Sequence, residues 1–352
     1  MLSPHDSKVS KVGIHLRELT MARRSSARLA PLSPRTPLSA LGALVAAGAL
    51  LTVSACSSNA TGSGGGGSSS SSGGGGSSTA ASAIPSESPD TALTSMVPSA
   101  LKSAGAIRIA TDASYAPNEF KDSGGNIVGM DVDLGTAIAQ KLGLKAQFQN
   151  ATFDGIIGGV LARKYDISLS SFTITAAREK QVDMVSYFTA GMQFAVKAGN
   201  PSKIPASGYP TNVCGFKTSV QTGTTEADDI SGHINPACTK AGKKPIPNGG
   251  DKFDQQTDAT TSLASGRDDV MYADSPVVAY AVTQSHGQVQ ALGGVYASQP
   301  YGVVIPKGGR LPQAVQGAIK DLMADGTYKK ILAKWHVDSG AIATSAVNPA
   351  AQ

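Results

Sequence analysis

The stretch from Asp166 to Arg178, reading DISLSSFTITAAR, gathers the residue types best suited to holding an anion. An apolar run with Ile167 and Leu169 leads into hydroxyls at Ser170, Ser171, Thr173 and Thr175, and then into a helix start. The first amides of a helix have no intrahelical partner and point outward at the positive end of its dipole. A carboxylate or phosphate placed there is stabilised. Arg178 adds a planar fork that grips a carboxylate bidentately. Each residue also has a plainer use: Thr175 as a helix cap, Arg178 as a solvated charge, the serines as loop residues.

The elements that must position these groups alternate between strand and helix. Ile107 to Thr111 alternates as a strand does. Asp131 to Leu142 places Leu134, Ala137, Ile138 and Leu142 on one helical face, with Gly143 as a stop. Leu144 to Phe148 reads as a strand, Phe153 to Leu161 as a helix, and Ile167 to Ser170 as the strand entering the hydroxyl-rich turn. A second series follows: a strand over Val213 to Val220, a helix entered through Gln221-Thr222-Gly223-Thr224-Thr225-Glu226, a helix over Thr257 to Ala264, and a strand from Asp269 to Tyr272 that ends near Asp274. Ser275-Pro276 reads as an N-cap and first-turn pair. Tyr301 to Ile305 is a last strand. Pro312 to Met323 and Gly326 to Trp335 are helices whose buried stripe is Leu311, Val315, Ile319, Leu322, Ile331 and Trp335. Such alternation predicts an α/β fold with a mostly parallel sheet. Ligands bind such sheets at the carboxyl ends of strands, where Asp112 and Ser170 lie.

Composition narrows the function. The 352-residue chain is long enough for two domains. Its +5 net charge suggests nucleic acid, yet residues 1–55 hold seven Lys or Arg and two Asp or Glu, which accounts for all of it. The remaining 23 basic and 23 acidic residues cancel, so the body lacks the footprint of a DNA or RNA binder.

The leader reads as an export signal. Arg23, Arg24, Arg28 and Arg35 precede the apolar run Leu38 to Val53, which is short and rich in small residues. Val53-Ser54-Ala55-Cys56 resembles a bacterial lipobox, which implies lipid attachment at Cys56; the alternative is a buried cysteine in an N-terminal helix. Met21 is a candidate start, because the segment before it is neither apolar nor patterned. Residues 56–95, rich in Gly and Ser, read as a flexible tether with a typical reach of about 35 Å. Cys214 and Cys238 are expected to form a disulfide, as an isolated pair in an exported protein does; two free thiols are the alternative.

In this order the segments IRIATDASYAPNEF, GMDVDLGTAIAQKLG, DISLSSFTITAAREKQVDM, QTGTT, SGRDDVMYAD and ADGTYKKILAKW resemble family 3 of the bacterial extracellular solute-binding proteins, which serve ABC importers of polar amino acids. The resemblance spans about residues 104–337. It implies a two-lobed, type II periplasmic-binding-protein-like fold with two hinge crossings and a ligand cleft between the lobes. Lobe 1 would comprise residues 98–190 and 297–337, lobe 2 residues 196–292, and residues 338–352 a tail.

The resemblance also implies a site for an amino acid. Arg178, Thr173 and the amide of Thr225 would hold its carboxylate, and Asp274 with Ser171 its ammonium. Tyr115 and Phe153 would flank the side chain, with Asp112 and Ser170 at its polar tip. A buried zwitterion needs both charges paired, because unpaired charge in a dry site costs several kcal/mol. Each assignment has a plainer rival: Asp274 as a helix cap, Tyr115 and Phe153 as core aromatics, Asp112 as a brace for its own turn. Asp112 and Glu119 lean toward a cationic ligand such as arginine or lysine. Asn118, and Met130 where relatives tend to have phenylalanine, depart from the family pattern and leave the ligand open.

The implied partners are an amino acid, an ABC permease and the membrane reached through Cys56, with the protein a monomer outside the cytoplasm. No cofactor or metal is called for: His233, His286 and His336 lack ligand spacing, and there is no Walker loop, G-x-S-x-G or CxxC. An exported cyclohexadienyl or arogenate dehydratase on the same fold is the rival reading. It would require a general acid or base that the chain does not display outside the residues already assigned. Ser99-x-x-Lys102 lacks the companion motifs of its chemistry, and a sensor domain would need a signalling segment after residue 337.

Overall fold

In the computed structural model, which describes residues 84–351, two long strands carry the architecture. In chain order the strands are β1 (Ala106–Thr111), β2 (Ser114–Tyr115), β3 (Glu119–Lys121), β4 (Ile127–Val128), β5 (Lys145–Asn150), β6 (Ile167–Ser168), β7 (Asp183–Lys197), β8 (Thr218–Gln221), β9 (Asp251–Phe253), β10 (Val270–Asp274) and β11 (Val289–Ile305). β7 and β11 pair antiparallel from Asp183 opposite Ile305 to Lys197 opposite Val289, with register shifts on either side of Tyr296. β1, β5 and β6 assemble beside one half of this ribbon, and β10, β8 and β9 beside the other. The result is two lobes joined by two crossings.

Each lobe has its own core. In lobe 1, β1 buries Ile107 and Ile109, and helix Met130–Lys141 lays Leu134, Ala137 and Ile138 against them. Helices Leu311–Ala324 and Thr327–Lys334 add Val315, Ile319, Leu322 and Ile331. Their 3.6-residue spacing forms one apolar stripe. Trp335 is only half-buried: it packs edge-on to Phe120, and its Nε1–H donates to Asp133 at 2.7 Å. In lobe 2, Phe194 stacks on Tyr272 with ring centroids 4.2 Å apart, beside Ile230, Ile234 and Cys238.

The disulfide between Cys214 and Cys238 lies within lobe 2. It closes a loop of sequence separation 24, worth about 3–4 kcal/mol in the chain-entropy description. A Cys214→Ala, Cys238→Ala variant is expected to unfold at lower denaturant by that amount, as chemical denaturation will measure. Its ligand affinity should be nearly unchanged, because neither cysteine lines the inter-lobe cavity.

Several local expectations are corrected. The expected strand over Val213 to Val220 is limited to Thr218–Gln221, since the disulfide and the turns around it occupy the earlier residues. The tether ends earlier than residue 95. Ile84 packs on lobe 1, Asp90 caps helix Thr91–Met96 through Leu93, and Leu93 seats on Gly317, where a methyl group would collide with it. Ile84, Leu93, Met96 and Val97 supply the apolar surface that Gly and Ser cannot. Residues past 337 are no free tail either: Val347 bridges Val185, and Ser345 donates to the Ser186 carbonyl at 2.7 Å. The leader and Cys56 lie outside the described residues. Among the described residues no helix is long and apolar enough to cross a membrane.

Candidate functional site

The Arg178 guanidinium sits where the two lobes meet. Thr175 caps the short helix Ala176–Glu179, its hydroxyl accepting from the Arg178 amide, so the plainer reading of Thr175 holds. That cap sets the Arg178 side chain over the rings of Phe172 and Phe153, at 5.0 and 5.7 Å from their centroids. One guanidinium nitrogen donates to the Thr173 carbonyl at 2.7 Å, and another donates across the lobes to the Gly223 carbonyl at 3.1 Å. A guanidinium has five N–H donors, so three remain for a further acceptor. Desolvation lowers its pKa, against the raising influence of Glu226, Asp228 and Asp274.

Asp274 approaches the same point from lobe 2. It ends β10 and stands at the N-cap of helix Ser275–Gln284, which places Ser275-Pro276 inside the first turn instead of at the cap. Its carboxylate makes no capping bond; Oδ2 accepts from the Tyr115 hydroxyl at 2.8 Å, a contact that reaches back to lobe 1. Burial raises its pKa, while the bond from Tyr115 and the charge of Arg178 pull it down.

Between these two charges lies a cavity of about 10 Å³ lined by Tyr115, Phe153, Ser171, Thr173, Arg178, Thr224, Thr225, Glu226 and Asp274. That is room for about one water molecule, so an amino acid could enter only if the lobes parted. The hydroxyls of Thr173 and Thr225 approach to 3.5 Å across the lobes. Phe153 stacks on Phe172 at 4.2 Å, which occupies one of its faces.

Asp112 and Ser170 are not brought to this cavity. Asp112 accepts from Ser114 Oγ at 2.7 Å, from the Phe153 amide at 3.0 Å and from Gln221 Nε2 of the other lobe at 2.9 Å. Its carboxylate therefore braces its own turn and ties the lobes together. Ser170 is fully buried; it accepts from the Asp112 amide and donates to Glu119 Oε1. Glu119 lies beneath the floor as well, accepting also from Ser171 Oγ. Asn118 donates to the same hydroxyl at 2.9 Å, so it adds no contact to the cavity wall. The argument for a cationic ligand from Asp112 and Glu119 falls with these placements.

A buried acidic network holds the floor loop in shape. Ser171 adopts φ 50, a left-handed conformation unusual for a residue with a side chain. Asp131 Oδ2 accepts from the Ser171 amide at 2.9 Å and from the Tyr187 hydroxyl at 2.7 Å. Burial pushes the Asp131 carboxyl up to about 6 and Glu119 well above the usual carboxylate range.

Thr224 and Glu226 are the cavity residues that sequence reasoning missed; Thr224 serves as the N-cap of helix Thr225–Asp229, and Glu226 follows in its first turn. An acid in the first turn of a helix is ordinarily explained by the dipole alone, and only its neighbour in QTGTTE, Thr225, attracted notice. Among the described residues no cluster of His, Cys, Asp or Glu could hold a metal ion. Ser99 and Lys102 lie on helix Ser99–Ala104, where Lys102 donates to the Ser95 carbonyl.

Residues 107–338 match the family described as bacterial extracellular solute-binding proteins, family 3. The chain belongs to that family. The arginine-binding protein ArgT of Corynebacterium glutamicum is 32% identical over 266 residues, covering 75% of this chain and 84% of that protein. Among solved structures, an ancestral arginine-binding protein bound to arginine is 37% identical with a TM-score of 0.59, covering 66% of this chain and 98% of that one. An ancestral amino acid-binding protein described as a precursor of cyclohexadienyl dehydratase is 35% identical with a TM-score of 0.58, covering 67% and 97%. Membership in the family agrees with the two-lobed fold around β7 and β11.

Proposed function

We propose that this protein is the substrate-binding component of an ABC importer, held at the outer face of the cell membrane through a lipidated Cys56, and that it captures a polar amino acid with a cationic side chain by closure of its two lobes. The observation that carries this reading is the meeting of Arg178 from lobe 1 and Asp274 from lobe 2 at one cavity. An amino acid presents a carboxylate and an ammonium a few ångströms apart, and this pair answers both. The names of the relatives support the ligand class, since arginine-binding proteins recur among them.

In this reading the carboxylate docks on the free donors of Arg178, the Thr173 hydroxyl and amide, and the Thr225 amide. The ammonium docks on Asp274 and the Ser171 carbonyl, and Tyr115 and Phe153 flank the side chain. Each lobe alone offers half of the partners, so the ligand stabilises the closed arrangement over the open one by its differential contacts. The permease then reads the closed shape.

Closure brings Gly223 against helix Phe153–Leu161: a methyl group at Gly223 would stand 2.9 Å from Asp154 Cβ and 3.1 Å from its Cα, and Gly223 has φ +78. Gly223→Ala is expected to weaken ligand binding about ten- to a hundredfold, from strain of about 1–3 kcal/mol, as calorimetric titration will measure. The test of the reading itself is a thermal-shift screen over the twenty amino acids, ornithine, citrulline and small polyamines. At a hundredfold excess over Kd a ligand stabilises by about 2.7 kcal/mol, which raises the melting temperature of a domain of this size by about 5–10 °C. Arginine or lysine should give that rise. No rise with any of these compounds, or consumption of prephenate or arogenate, would contradict it.

A further inference from the structure

The cleft holds one more carboxylate than a plain zwitterion requires. Glu226 is 1% exposed, and one of its oxygens, Oε1, has no hydrogen-bond partner although it lines the cavity. Its other oxygen accepts only from the neighbouring Thr225 hydroxyl at 3.3 Å. Asp274, 4% exposed, lines the same cavity, and Arg178 is the one cation among the residues that do. Two buried carboxylates against one guanidinium leave an uncompensated negative charge in a space of about 10 Å³, a state that costs several kcal/mol unless a cation or a proton joins them.

We propose that Asp274 and Glu226 together form the acceptor for the ligand's ammonium group, and that the ammonium replaces a proton which the two carboxylates share when the cleft is empty. Capture then releases one proton to solvent. An ammonium has three N–H donors: one meets Asp274, one the unpartnered Oε1 of Glu226, and one the Ser171 carbonyl. The inference rests on the amino-acid reading of the site and adds to it the regulation of capture by pH.

The surroundings agree. Glu226 shares the cavity wall with Arg178 from helix Ala176–Glu179, Asp274 from β10 and Tyr115 from β2, and lies within electrostatic reach of Tyr272 on β10 and Tyr301 on β11, with Asp228 and Asp229 on its own helix. Burial first, and then the charge of Asp274, pushes the Glu226 carboxyl well above the usual carboxylate range. The phenols donate or stay neutral, so Arg178 alone opposes the two acids. With the proton gone, the occupied cleft counts Arg178 and the ammonium against Asp274, Glu226 and the ligand carboxylate. A cationic ligand side chain restores the balance, which ties the exchange to a basic amino acid.

The experiment is calorimetric titration of the full chain with L-arginine near neutral pH, in phosphate and in Tris, whose ionisation enthalpies differ widely. The expected result is an apparent enthalpy that differs between the buffers by up to one released proton per L-arginine bound. In Glu226→Gln that difference should vanish. Affinity of the unaltered protein should fall up to tenfold per pH unit as pH drops below the pair's upper pKa, with a flatter profile in Glu226→Gln. Binding with equal enthalpies in both buffers, or proton release that persists in Glu226→Gln, overturns the exchange and leaves the amino-acid reading intact. No binding of L-arginine in any buffer, together with no rise for the other compounds in the thermal screen, overturns both.

Discussion

Arg178→Ala is expected to abolish the rise in melting temperature that an amino acid produces, while the unliganded protein stays within about 1–2 kcal/mol of its original stability. The side chain's existing bonds go to two backbone carbonyls, Thr173 and Gly223, both at the edge of the cleft and able to meet water when the lobes part. What lobe 1 loses is chiefly the packing of the guanidinium over Phe172 and Phe153, worth about 0.5–2 kcal/mol. A ligand carboxylate has no other cation within the cavity wall. Loss of one partner of a buried, hydrogen-bonded charge pair costs about 2–5 kcal/mol, which is about 1.5 to 3.5 orders of magnitude in Kd. Titration of the variant with L-arginine measures this directly.

Asp274→Ala is expected to cost at least as much binding and to do so with a different signature. The ammonium would lose its principal counter-ion, and Tyr115 its acceptor, in a site that excludes water. The unliganded protein keeps its charge balance, since Glu226 then faces Arg178 alone and no longer has to share a proton with Asp274. Its melting temperature without ligand should hold or rise while the ligand-induced rise disappears. Loss of binding accompanied by a large drop in unliganded stability would instead make Asp274 a structural residue.

Much of the fold can be read from residue spacing. The stripe Val315, Ile319, Leu322 and Ile331 is a plain 3.6-residue pattern, and its burial follows from it. The alternation of Ile107 and Ile109 equally marks β1. The two crossings are not legible this way, because β7 is buried along most of its length and β11 is buried at its ends but exposed through its middle, so neither carries a simple period; only resemblance to the family indicated them. Val213 misled because an apolar residue beside a disulfide looks like the start of a strand. At both ends of the folded body a few apolar residues, Ile84 and Leu93 at one and Val347 at the other, outweigh the polar composition around them.

Within the site, residue types singled out Arg178 and the hydroxyl-rich turn before it, and the resemblance to the family implied the roles of Thr173, Thr225 and Asp274, while direction did not follow. Ser170 and Ser171 are adjacent, yet Ser171 turns into the left-handed region and lines the cavity whereas Ser170 points into the buried network. A strand as short as Ile167–Ser168 does not carry its alternation far enough to distinguish them. Asp112 was misplaced for a related reason: Ser114, the Phe153 amide and Gln221 satisfy it from three sides, and two of those come from distant segments. Glu226 escaped because its sequence context has an ordinary explanation; only its burial and its unpartnered oxygen set it apart.

The central claim is that a small zwitterion draws two half-sites of opposite charge together. Small-angle scattering of residues 84–351, with and without saturating L-arginine, tests it most directly. A smaller radius of gyration with ligand is expected, with no change in Arg178→Ala or Asp274→Ala. Tight binding of L-arginine to the unaltered protein with an unchanged radius of gyration would contradict it.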